Sequence, residues 1–101
     1  MSLPSTLIPN TPTTIHTVRA QDYVDVHLVN DDASQTIDVT VWRTFDDAAS
    51  TARLSDEQFT GIAAGECRVG RAKDLSNGVL LIFKAQASGA GNAPLRNWFS
   101  Q

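Results

Sequence analysis

Residues 23–44 read YVDVHLVNDDASQTIDVTVWRT, and apolar and polar residues alternate on both sides of a polar centre. Val24, Val26 and Leu28 repeat with a period of two, as do Ile37, Val39 and Val41. Strand side chains point alternately to opposite faces, so each triplet lines one face of a strand. The intervening DDAS has the chemistry of a turn. The stretch therefore reads as a β-hairpin that pairs Leu28 with Ile37, Val26 with Val39 and Val24 with Val41. A slip of one residue would turn half of these apolar groups into water. In this register the outward face sets Tyr23 opposite Trp42, Asp25 opposite Thr40 and His27 opposite Asp38.

The rest of the chain extends the same theme. TTIHTVRA (13–20) is rich in β-branched residues and reads as a strand. ECRVGRAKD (66–74) reads as a strand interrupted by a bulge at Gly70. LSNG (75–78) reads as a turn, and VLLIFKAQA (79–87) as the most hydrophobic strand. In residues 45–65, Ser55 and Gln58 resemble a capping box, yet Gly61 and Gly65 arrive before a helical period develops. The segment is expected to be a loop with at most one short helix. SGAGNAP (88–94) reads as a flexible connector. Five to seven strands joined by turns imply an all-β fold: a small antiparallel β-sandwich, immunoglobulin-like or jelly-roll-like, or a partly open barrel.

The length of 101 residues suits one core, and a hydrophobic content of 42% can bury it. A formal charge of −3 argues against a general nucleic-acid coat. The longest apolar run, residues 79–83, falls far short of the roughly 20 residues needed to span a bilayer. With no basic and apolar leader at the N-terminus, the expected location is the cytoplasm or a particle assembled there. A single cysteine, Cys67, excludes a disulfide within the chain.

Chemistry is sparse. Asp25, His27 and Asp38 on the outer face of the hairpin form a weak metal-ligand candidate, with His16 as a neighbour. The plainer reading is a solvated face with a His–Asp hydrogen bond. Cys67 has no visible base and reads as a small buried hydrophobe rather than a nucleophile. Arg68, Arg71 and Lys73 read as charges that protect a strand edge. No zinc cluster, phosphate loop or dinucleotide fingerprint is present, so no cofactor and no enzymatic activity are expected.

The two ends carry more information. Leu3, Leu7 and Ile8 at the front and Leu95, Trp98 and Phe99 at the back are apolar, although termini are normally polar. Burying one such side chain is worth roughly 1.5–3 kcal/mol. Residues 1–12 are therefore expected to form an extended arm, 13–94 the sandwich and 95–101 an apolar tail. The arm and tail either fold back or dock on a neighbour. A short sandwich with apolar arms is similar in kind to small assembly proteins of phage particles and bacterial injection machines. The leading expectation is a structural subunit that binds itself or another protein through Leu3, Leu7, Ile8, Tyr23, Trp42, Leu95, Trp98 and Phe99. The second is a module for a small molecule or glycan, with Tyr23 and Trp42 as a stacking platform. Nucleic-acid and membrane partners are not expected.

Overall fold

The alternation read from the sequence holds in space. In the computed structural model, which describes residues 4–19, 23–44, 52–53, 58–72 and 80–100, Val24, Val26, Leu28, Ile37, Val39 and Val41 are all buried. The strands are β1 (Ser5–Ile8), β2 (Thr13–Arg19), β3 (Val24–Asn30), β4 (Ile37–Thr44), β5 (Ala52–Arg53), β6 (Cys67–Ala72), β7 (Leu80–Ala87) and β8 (Ala93–Ser100). They form two four-stranded sheets, ordered β1-β8-β3-β6 and β2-β7-β4-β5. The expected antiparallel β-sandwich is the fold. β1 pairs with β8, β2 with β7, β3 with β6 and β4 with β5. Pairs nested in this way are one long two-stranded ribbon wrapped over itself, which is the jelly-roll arrangement.

This topology corrects the hairpin. β3 and β4 are not partners: β3 lies between β8 and β6, and β4 between β7 and β5. Residues 31–36 are an arch that carries the chain from one sheet to the other. Asn30 holds the arch and is fully buried. Its Nδ2 donates to the carbonyls of Gln35 (2.8 Å) and Ile62 (2.9 Å), and its Oδ1 accepts from the Asp32 amide (2.9 Å). Asp32 Oδ2 accepts the amides of Ser34 (3.0 Å) and Gln35 (2.7 Å), which holds its carboxyl below the ordinary range. Gln35 then ties this arch to a second one, residues 88–92 between β7 and β8. Its Oε1 accepts from Gly89 N at 2.8 Å, and its Nε2 reaches the carbonyls of Ala90 and Gly91, both at 3.3 Å.

The arm and tail are also corrected. Residues 5–8 are an edge strand, and residues 93–100 form a strand between β1 and β3. Ile8 and Leu95 are core residues at 0% exposure, so the apolar ends were counting core rather than appendage. The core holds Phe59, Ile62, Leu81 and Phe83 alongside the β3 and β4 triplets.

Phe59 and Ile62 come from the segment between β5 and β6, which closes one side of the sandwich. Ile37 and Ile62 exchange backbone hydrogen bonds, and Val39 N donates to Phe59 O at 2.9 Å. Arg68 faces inward at the edge and clamps this segment, donating to the carbonyls of Gln58 (2.8 Å) and Thr60 (3.1 Å) and pairing with Glu66 (2.8 Å). Gly70 is not a bulge. β6 runs in continuous register with β3, with Gly70 opposite Val26. A Cβ there would stand 2.8 Å from the Phe59 ring, so glycine is needed for a close approach. The bulge lies instead in β2, between Thr14 and His16.

The expected turn at 75–78, Lys73, and residues 55–57 of the helical candidate at 55–59 lie outside the described residues. Gln58 and Phe59 form a turn. Among the described residues no helix is long and apolar enough to cross a membrane.

Candidate functional site

Opening the hairpin into an arch separates the side chains that sequence reading had joined. Asp25 and His27 point outward from the β1-β8-β3-β6 sheet, while Asp38 points outward from the other sheet, with about 10 Å of core between the layers. The three do not converge. Among the described residues no group of three or more His, Cys, Asp or Glu is placed to hold a metal. Asp25 pairs with Arg71 at 2.7 Å, and Asp38 Oδ1 accepts the Gly61 amide at 2.6 Å. His16 faces the interior. It stacks on Phe99 with ring centroids 4.2 Å apart and planes 2° from parallel. Partial burial lowers its pKa below that of an ordinary histidine.

The outer face of the β1-β8-β3-β6 sheet is built by three strands in register. His27 of β3 lies between Trp98 of β8 and Val69 of β6. The next row on one side is Ser100, Asp25 and Arg71, and on the other Arg96, Val29 and Cys67. The face thus carries an apolar and aromatic band. Ion pairs rim it on both sides: Arg71 with Asp25, and Arg96 with Asp31, also at 2.7 Å. Each carboxylate raises the pKa of its arginine. Cys67 is exposed rather than buried, and its Sγ shares a hydrogen bond with His27 Nε2 at 3.3 Å.

The exposed large hydrophobic residues among those described are Leu7 (62%), Val69 (65%) and Trp98 (42%). All three lie on this face, since Leu7 sits opposite Pro94 in the Arg96–Trp98 row of side chains. Of the residues singled out in the sequence, it therefore presents Leu7 and Trp98. Ile8 and Leu95 are inside, Phe99 lies against His16, and Leu3 is outside the described residues. Tyr23 lies beneath the Arg71 guanidinium, 3.9 Å from its ring centroid. Sequence reading passed over Val69. Its only signal was an apolar residue alternating with arginines on a strand whose register Gly70 seemed to break.

Trp42 belongs to the opposite surface, so Tyr23 and Trp42 form no common platform. Asp38, Thr40, Trp42, Thr60, Lys84 and Gln86 line a groove of about 200 Å³ on the outer face of the second sheet. Thr40 lies opposite Lys84, and Asp38 opposite Gln86. Trp42 Nε1 donates to Thr40 Oγ1 at 2.9 Å, and the Lys84 ammonium stands 4.9 Å from the indole centroid. Lys84 and Gln86 were missed because they only acquire meaning beside β4, a long-range neighbour.

Of the basic residues on β6, Arg68 and Arg71 do not share a face. Arg68 points inward and Arg71 outward, each held by a carboxylate. Both arginines lie on β6, an edge strand, and Gln58 covers part of that edge, its side-chain amide bonding both the carbonyl (2.8 Å) and the amide (3.4 Å) of Arg71. Compared with known proteins, the chain matches no family model and no curated protein.

Proposed function

We propose that the protein is a non-enzymatic assembly subunit that associates with a second copy of itself through the outer face of the β1-β8-β3-β6 sheet. One observation carries this reading: Trp98 and Val69, exposed on two different strands, flank His27 on that face, and Leu7 is exposed on the same face beyond the Arg96–Asp31 pair. Aromatic residues ringed by charge are the usual energetic centre of protein interfaces. A second copy suits the face because its charges are balanced. Asp25–Arg71 and Arg96–Asp31 flank the Trp98–His27–Val69 row on opposite sides. Each flank thus carries one positive and one negative side chain, so no surplus of like charge opposes a second copy. Such a subunit suits a repeated particle of the phage or injection-machine kind, and jelly rolls are used this way, although a fold alone does not carry function.

Trimming the termini does not test this, because removing residues 95–101 takes away most of an interior strand. Outward substitutions do. Sedimentation velocity over a concentration series is expected to show wild-type species heavier than the 10.9 kDa monomer. Val69→Asp combined with Trp98→Ala is expected to weaken association by at least roughly 100-fold while the circular dichroism spectrum of the folded β protein is retained. Trp42→Ala on the opposite face should leave association intact. A wild-type monomer at every concentration, or association that survives the double substitution, overturns the reading.

A further inference from the structure

The groove beside Trp42 faces away from the proposed interface, and we infer that it is a binding site for a single neutral sugar ring. Its polar groups are only partly used by the protein. Asp38 spends Oδ1 on the Gly61 amide and keeps Oδ2 as an acceptor. Gln86 spends Nε2 on the Asn10 carbonyl at 2.9 Å and keeps Oε1. The Lys84 ammonium lies against the indole and makes no salt bridge among the described residues, so its protons remain for an acceptor. Two spare acceptors, one spare cationic donor and an indole thus converge on about 200 Å³.

Hydroxyl groups both donate and accept, so a polyol matches this mixed set where a purely acidic or basic ligand does not. Neighbouring hydroxyls donate to Asp38 Oδ2 and Gln86 Oε1, another accepts from Lys84, and the C–H face of the ring meets Trp42. A negatively charged sugar would gain Lys84 and be repelled by Asp38. A cationic one would face the reverse, so a neutral ring fits best. The groove volume limits the site to one ring rather than an extended chain. Thr40 is a positioning residue: it accepts Trp42 Nε1 and holds the indole along the groove wall.

The test uses the intact protein and a panel of neutral methyl glycosides, uronic acids and amino sugars, read by saturation-transfer NMR and titration calorimetry. At least one neutral glycoside is expected to bind, with a dissociation constant on the order of 1 mM, as befits one ring in a shallow site. Trp42→Ala and Asp38→Asn should each weaken it by roughly tenfold or more. The asparagine keeps an acceptor for Gly61 and so preserves the fold. Trp98→Ala should leave sugar binding unchanged, which separates this site from the self-association surface whether or not that surface proves real. No binding across the panel, tighter binding of uronic acids or amino sugars, or binding indifferent to Trp42→Ala overturns the inference.

Discussion

β3 and β4 carry nearly the same pattern and do different things. Each delivers three apolar residues to one core: Val24, Val26 and Leu28 from β3, and Ile37, Val39 and Val41 from β4. Their outward residues go to opposite surfaces. β3 contributes Asp25 and His27 to a band with exposed apolar neighbours, while β4 contributes Asp38, Thr40 and Trp42 to a polar groove. The inner faces are interchangeable because the hydrophobic effect has no direction. The outer faces are not, because their chemistry depends on which strands lie alongside. The six residues between β3 and β4 decide which neighbours those are.

The comparison breaks most severely at Asn30. Asn30→Ala removes three hydrogen bonds and leaves the buried Ile62 carbonyl, the half-buried Gln35 carbonyl and the Asp32 amide without that partner. Urea unfolding is expected to show a loss of about 2–4 kcal/mol. Asn30→Asp should cost at least as much, since a carboxylate would then face the Gln35 and Ile62 carbonyls in a fully buried position. A loss below about 1 kcal/mol for Asn30→Ala would show that the arch is held by other groups.

A smaller effect sharpens the contrast between the inner and outer faces on the β3 side. Gly70→Ala places a methyl group 2.6 Å from Gln58 Oε1 and 2.8 Å from Phe59 Cε1. The Gln58 amide can swing away, but Phe59 is buried in the core. A cost of about 1–3 kcal/mol is expected in the same measurement. Val69→Ala, one residue away and turned outward, should stay within about 0.5 kcal/mol when measured at protein concentrations low enough that the chain is a monomer. Equal costs for the two would contradict the register of β6.

The smallest effect concerns how the layers meet. His16 lies on β2, beside β7, yet stacks on Phe99 of β8, so it joins the β4 layer to the β3 layer. Desolvation depresses its folded pKa, and the unfolded chain takes up the proton first, near pH 6.5. Stability contributed by the neutral ring is therefore complete above that pH. It falls as pH drops through the interval down to the folded pKa. Thermal midpoints of wild type should decline as pH falls below about 6.5, and His16→Phe should flatten that slope while preserving the stack. An unchanged slope in the variant would assign the pH dependence to other groups.

Legibility followed range. Strand identity, the buried triplets and the sandwich were readable because period-two alternation is a local property. The hairpin was misread for a physical reason: a hairpin and an arch deliver the same triplets to the same core, and DDAS suits both. Asn30 was the overlooked sign, a polar residue continuing the inward series Val24, Val26 and Leu28 at the point where the chain changes sheets. The apolar termini were rightly flagged as needing cover, but Ile8 and Leu95 find it within their own core. Of the expected contact residues that are described, Leu7 and Trp98 are exposed on the β1-β8-β3-β6 face, while Trp42 lines the other surface.

The sequence by itself determined that this chain buries alternating residues between layers of strands, because each strand must hide one face from water. Tertiary structure alone decided that β3 and β4 part company, that Trp98, His27 and Val69 form a row, and that Trp42 meets Lys84. Those juxtapositions depend on pairings between residues tens of positions apart, which the arches choose and which no local pattern records.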